Sequence, residues 1–227
     1  MSHTTCAIVG GGPAGMMLGL LLARAGIEVT VLEKHGDFLR DFRGDTVHPS
    51  TIRLLDELGL GNSFRTLPQS RLAAVNIPTL DGSRLTLGDF AALPAPYNYV
   101  AMIPQWDFLD FLASAARKEP SFRIRMNTEV TGLLREGDRI AGVNWVAKDG
   151  TSGELTSDLV VAADGRSSIV RQAAGLVPKE FAVPFDTWWF RLPRHESEQS
   201  EIASLLPAIK NGEIMLTLTR ETFFQVA

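Results

Sequence analysis

Residues 6–33 constrain the fold more than any other stretch of this chain. Cys6-Ala7-Ile8-Val9 is a short apolar run that leads into Gly10-Gly11-Gly12-Pro13-Ala14-Gly15. Met17, Leu20, Leu21 and Arg24 follow at helical spacing, Gly26 stands where a helix C′ residue belongs, and Val29-Thr30-Val31-Leu32 ends at Glu33. Strand, glycine turn, helix and strand in that order make a βαβ unit, which requires a parallel sheet. Gly10-x-Gly12-x-x-Gly15 has the dinucleotide-binding spacing. In that mechanism Gly10 permits the tight turn, Gly12 lets a pyrophosphate approach the backbone, and Gly15 lets the helix sit close to the sheet. Pro13 and Ala14 open the helix, where a missing N–H costs little. The free N–H groups and dipole of that helix end favour negative charge. Glu33 ends the second strand, so its carboxylate is placed to accept from ribose hydroxyls, with Lys34 beside it. A glycine turn alone is weak evidence, but here each flank falls where the mechanism needs it.

Composition narrows the class. At 227 residues the chain could be one large domain or two small ones, and its net charge of −4 argues against nucleic acid, which calls for a basic patch. Cys6 is the single cysteine, so there is no internal disulfide and no cysteine zinc cluster; in the first strand it reads as a small buried hydrophobe. The first strand begins almost at once, and the apolar run from Met16 to Ala23 is far too short for a bilayer. The expectation is a cytoplasmic protein without an integral membrane segment.

Further along, Ser50–Leu58 reads as a helix with Ile52, Leu55 and Leu58 on one side and Gly59 past its end. Residues 68–104 alternate short β-like pieces with turns such as Asp81-Gly82 and the proline-rich stretch from Leu93 to Pro96. Gln105 caps an amphipathic helix running to Lys118, with Phe108, Leu109, Leu112, Ala115 and Ala116 on one face. Phe122, Ile124 and Met126 alternate with arginines as a half-exposed strand, and Val130–Leu134 and Ile140–Ala147 read as a hairpin about Glu136-Gly137-Asp138. The continuous apolar run Leu159–Ala163 predicts a fully buried parallel strand. Asp186–Leu192 and Ile214–Leu218 look like strands of a different sheet, with a helix-like stretch from Gln199 to Lys210 between them.

That apolar run ends in Ala163-Asp164-Gly165-Arg166-Ser167-Ser168, and Ile169, Val170 and Arg171 follow at helical spacing. An Asp-Gly pair alone is a common turn, but this one sits at a strand's carboxyl end, where open α/β sheets bind ligands. Arg43 lies shortly past Glu33 in an Arg-Gly-Asp turn. His48 could move a proton, though a helix-entry residue before Pro49 is the blander reading. Trp188 and Phe190 share one face of their strand and Trp189 takes the other; core packing is the safer reading over an aromatic pocket wall. Arg191 reads as a solvated strand residue.

Taken with Glu33, Arg43, Gln105 and the Asp-Gly turn, the glycine motif resembles that of the FAD-dependent aromatic hydroxylases of the para-hydroxybenzoate hydroxylase type. The resemblance covers essentially the whole chain. It implies an α/β fold: a Rossmann-like FAD-binding domain with a parallel sheet over residues 1–180, carrying an inserted β-rich segment at about 68–104, and the start of a β-rich substrate domain over 181–227. It implies that Gly10, Gly12, Pro13, Ala14, Gly15, Glu33, Lys34, Arg43, Gln105, Val130, Ala163, Asp164 and Gly165 contact FAD, with the Val130 backbone at the adenine and Asp164 near the ribityl–pyrophosphate region. It implies tightly bound, non-covalent FAD, NAD(P)H as co-substrate, O2, and a small aromatic or apolar substrate to be hydroxylated; a reductase, dehydrogenase or halogenase on the same scaffold is the alternative. No catalytic side chain is identified. The family's third motif, a Gly-Asp pair near the C-terminus, has no counterpart: Gly88-Asp89 sits in the wrong context. The expectation is the N-terminal part of a longer enzyme, inactive by itself.

Overall fold

A computed structural model describes residues 2–39, 45–78, 83–183, 187–195, 205–210, 213–219 and 223–227. The elements in chain order are β1 (Ser2–Val9), α1 (Pro13–Arg24), β2 (Val29–Leu32), β3 (Thr46–Val47), α2 (Pro49–Glu57), α3 (Gly61–Arg65), β4 (Ser70–Leu72), β5 (Ala74–Pro78), β6 (Arg84–Asp89), β7 (Val100–Met102), α4 (Gln105–Ala116), β8 (Phe122–Arg125), β9 (Thr128–Glu136), β10 (Arg139–Ala147), β11 (Ser152–Ala162), α5 (Ile169–Ala173), β12 (Phe190–Pro193), β13 (Leu205–Lys210), β14 (Glu213–Thr219) and β15 (Phe223–Val226). The chain divides into two compact units, Met1–Arg40 with Trp106–Phe181, and Asp41–Gln105 with Ala182–Ala227. The β-rich segment after Arg43 thus groups with the C-terminal strands. No helix among the described residues is long and apolar enough to cross a membrane.

The first unit is built on a six-stranded sheet of order β8-β2-β1-β11-β10-β9. Four strands run parallel: β8 beside β2, β2 beside β1 and β1 beside β11. The hairpin β9–β10 then continues the sheet antiparallel from β11. Parallel strands buried on both faces need apolar residues at every position, and all four residues of β2 are buried. Ala7, Val9, Leu32, Val130, Val143, Leu155 and Val170 form one core cluster, so the hairpin and α5 are packed with the ends of the parallel strands. Helix α1 buries Met16, Gly19, Leu20 and Ala23, one step round from the Met17–Leu21 face that spacing suggests. The reason is Gly19: a Cβ there would come within 2.9 Å of the Phe122 ring and 3.1 Å of Val31, so the glycine face is the one that meets the sheet.

Two sequence expectations for the strands fail here. The run Leu159–Ala163 is parallel to β1 but not fully buried, and Leu159 is 56% exposed. Strand β10 pairs with β11 only from Ser152 to Thr156, so beyond that point β11 keeps β1 as its one ladder partner among the described residues. The apolar pattern is that of a covered strand, whereas the cover is one-sided. Likewise, Leu205–Lys210 is strand β13, not helix, because each of its residues pairs across to β14.

The second unit holds the sheet β3-β7-β4, the hairpin β5–β6, the sheet β12-β15-β14-β13 and helices α2 and α3. Ile52 and Leu55 of α2 are fully buried, as the helical spacing requires. Arg65 pairs with Asp56 at 2.9 Å, and this hydrogen-bonded guanidinium holds the Asp56 carboxyl below its ordinary value. Burial, and after it the hydrogen bond to the same carboxylate, raises the Tyr97 phenol. Asp89 accepts from the Ala91 N–H at 2.8 Å and caps a short 3-10 turn, so Gly88-Asp89 ends β6 beside β5 and opens no long helix. The Asp81-Gly82 turn lies outside the described residues. Trp188 is 79% exposed and Phe190 47%, which sets aside the core-packing reading: β12 is the edge strand of its sheet and all four of its residues are exposed.

Candidate functional site

The ends of β1, β2 and β11 converge on the glycine turn. Gly10 has φ of +104°, which side-chain-bearing residues rarely adopt, and a Cβ there would lie 2.4 Å from the Ala163 carbonyl oxygen. Two backbone bonds fix this junction: Gly10 N–H donates to the Leu32 carbonyl at 2.8 Å, and Ala163 N–H donates to the Val9 carbonyl at 2.8 Å. At Gly15 a Cβ would lie 2.0 Å from the Gly10 carbonyl oxygen, so only glycine lets α1 start this close to the turn. Gly12 differs from both. A Cβ there would meet nothing within 4 Å, so its outer side is open space. Gly12 is also the N-cap residue of α1, which has Pro13 at its start, no side-chain cap and no acidic residue in its first turn. The free N–H groups of that turn therefore face a space able to take an anion.

Glu33 is only 8% exposed. Its Oε2 accepts from the Gly11 N–H at 2.8 Å and its Oε1 from the His35 N–H at 3.0 Å. The carboxylate thus pins the glycine loop to the end of β2, a task beyond holding a ribose. A Cβ on Gly11 would stand 3.0 Å from the Glu33 Cβ, so the middle glycine of the run belongs to this contact. Sequence reasoning passed over Gly11 because it is a variable position of the fingerprint. Lys34 is exposed on the segment leaving β2.

Across the turn, Asp164 Oδ2 accepts from the Val170 N–H at 3.3 Å at the start of α5, while its Oδ1 is buried without a hydrogen-bond partner. A buried bare carboxylate oxygen calls for a donor, and a ligand hydroxyl supplies one. Gly165 follows, exposed, with φ of +85°. Val130 lies in β9 opposite Trp145, with its side chain in the core cluster.

Gln105 belongs to the second unit and opens α4. The capping group, however, is Asp45: its Oδ1 accepts from the Gln105 N–H at 3.1 Å, and its backbone carbonyl accepts from the Ile103 N–H at 3.0 Å. This corrects the expectation that Gln105 itself caps the helix. A cap 60 residues distant in sequence leaves no local signal. Arg43 lies outside the described residues. His48 sits exposed at the N-cap position of α2, before Pro49.

Three parallel strand ends, a helix start free of acid, a pinned glycine loop and a bare carboxylate oxygen define a dinucleotide-binding α/β domain. Residues 3–222 match the family described as FAD binding domain, and the chain belongs to that family. It is 38% identical over 176 residues to the 6-methylpretetramide 4-monooxygenase of Streptomyces rimosus, covering 77% of this chain and 41% of that relative. Its fold matches the crystal structure of p-nitrophenol 4-monooxygenase from Pseudomonas putida DLL-E4 with a TM-score of 0.79 at 23% identity, over 100% of this chain and 57% of that one. It matches the myxobacterial chondrochloren halogenase with a TM-score of 0.79 at 19% identity, over 100% of this chain and 52% of that one. The mixed α/β fold, a parallel βαβ sheet with an antiparallel hairpin added, is that of the FAD-binding domain of para-hydroxybenzoate hydroxylase-type monooxygenases. The chain spans about two-fifths of the length of the first curated relative.

Proposed function

We propose that this chain supplies the nucleotide-binding part of an FAD-dependent monooxygenase that uses NAD(P)H and O2 to hydroxylate an aromatic substrate. The observation that carries the reading is the fit of the cradle to FAD: open space beside Gly12 at an uncapped helix start, and the buried, partnerless Asp164 Oδ1 beyond it. Bound FAD supplies the redox chemistry. The chain's own residues bind and orient. The N–H groups of Gly12 and Ala14 would meet the pyrophosphate, Glu33 would accept from the adenosine ribose, and Asp164 would accept from a hydroxyl nearer the flavin. The aromatic substrate class is supported by the 6-methylpretetramide 4-monooxygenase, which is 38% identical.

The likeness in fold to a halogenase favours a second reading on the same scaffold. Product analysis under labelled O2 with the full-length protein separates the two. Incorporation of one labelled oxygen atom into an aromatic product supports the monooxygenase, and a halogenated product without label replaces it. Residues 1–227 alone are expected to bind FAD weakly and to hydroxylate nothing. A purified chain that takes up no FAD at any concentration tested would remove the FAD reading itself.

A further inference from the structure

We propose that Asn127 is a positioning residue for the adenosine end of the site: acting through His35, it fixes the plane of the Glu33 carboxylate and so sets the preference for a ribose that carries both hydroxyls. The proposal rests on the reading above, in which Glu33 meets the adenosine ribose.

Four observations carry it. Asn127 has φ of +54° and is the one residue other than glycine with a positive φ among the described residues. Asparagine enters that region more readily than most residues with a side chain. Its backbone sits where three segments join: its N–H donates to the His35 carbonyl at 2.9 Å, its carbonyl accepts from the Lys148 N–H at 2.9 Å, and the following Thr128 N–H donates to the Glu33 carbonyl at 2.8 Å. Its side-chain amide lies against Gly36, where a Cβ would come within 2.8 Å of the Asn127 Oδ1. Residues 34–37 are all exposed, so packing does little to set their path and these bonds set it instead.

The consequence reaches Glu33 through His35. The His35 carbonyl is held by Asn127, while the His35 N–H donates to Glu33 Oε1 at 3.0 Å. Glu33 Oε2 accepts from the Gly11 N–H at 2.8 Å. A tether on one oxygen leaves a carboxylate able to turn about it, whereas a tether on each oxygen fixes its plane. A carboxylate held in one plane meets a hydroxyl without reorganising. A residue unsuited to positive φ at position 127 would let the turn relax, release the His35 carbonyl and loosen the tether on Oε1.

The test is calorimetric titration of the 227-residue chain with ADP and with 2′-deoxy-ADP, which differ by one ribose hydroxyl. The wild type is expected to prefer ADP about tenfold, the worth of one hydrogen bond to a charged group. Asn127→Ala should cut that preference to about threefold, and Asn127→Gly, which meets the positive φ without strain, should restore it. Without ligand, the His35 amide should exchange faster in Asn127→Ala, with the rates in α1 unchanged. If Asn127→Ala does not fold, Asn127→Ser is read in its place, with the same loss of preference in milder form. A folded variant that keeps the full preference overturns the positioning role, even where both affinities fall, because a residue needed only for stability leaves the ratio untouched. An Asn127→Gly that fails to restore the ratio overturns it too. Wild-type protein that binds ADP no better than 2′-deoxy-ADP instead defeats the placing of the ribose on Glu33, and the proposal falls with it.

Discussion

Replacing Glu33 by alanine is expected to destabilise the chain even when no nucleotide is present. Two backbone N–H groups, those of Gly11 and His35, point at this carboxylate at 2.8 and 3.0 Å. Gly11 is buried, so water cannot replace the lost acceptor, whereas His35 is exposed and can turn to solvent. Leaving one buried donor unmet costs about 1–3 kcal/mol, more than the net worth of an ordinary hydrogen bond. For a chain of this length each kcal/mol moves the thermal midpoint by about 2–4 °C, so a central value of about 2 kcal/mol corresponds to a fall of about 4–8 °C. Glu33→Gln keeps a neutral acceptor for Gly11 and should lose about half as much. The assay is a thermal melt of nucleotide-free protein followed by far-ultraviolet circular dichroism. If Glu33→Ala melts within about 1 °C of the wild type while losing nucleotide affinity, the carboxylate serves the ribose alone and the pinning argument is wrong.

Other outcomes follow from the same geometry. Gly15→Ala puts a methyl 2.0 Å from the Gly10 carbonyl and must push α1 away from the turn, so nucleotide binding should be lost while the second unit's secondary structure persists; unaltered ADP affinity would contradict it. Asp45→Ala removes the cap of α4 and should cost about 0.5–2 kcal/mol, read as a shift in urea midpoint, with Asp45→Asn recovering much of it. The Asp56 carboxyl is held below its ordinary pKa because Arg65 hydrogen-bonds its charged form, so the stability it adds is present above about pH 4 and is lost as pH falls through its folded value. Asp56→Asn should therefore destabilise at neutral pH, by about 1 kcal/mol for a half-buried pair that solvent still screens, and converge with the wild type in acid. A stability gap that stays constant from pH 7 down to about pH 2 would count against this account.

Much of the cradle is legible in the sequence because its parts carry local signatures. The glycine spacing from Gly10, the helix opened by Pro13, the acid after β2 and the hairpin about Gly137 are each signalled within a few residues, even where their contacts reach much further. What the sequence hid depends on partners far along the chain. Asp45 caps a helix that starts at Gln105, and nothing near Asp45 announces it. Gly19 turns α1 toward Phe122, a residue of a strand whose place in the sheet spacing alone does not reveal. The run Leu159–Ala163 reads as a covered strand because hydrophobicity records what a strand is suited to meet, while the structure gives it a partner on one side. Strand β13 looks helical over a short window, and its pairing with β14 outweighs that local preference.

The meeting of Gly10 with Ala163 has a kinetic consequence. The two halves of the cradle are separated by most of the first unit's sequence, and they touch only when β11 has docked beside β1. No early, local structure can present a finished cradle, since closing so long a loop is among the slower steps of folding. A nucleotide that needs both halves binds the folded unit and not its precursors. Its binding energy then stabilises the whole unit by mass action, so saturating ligand should slow global unfolding rather than quiet one loop.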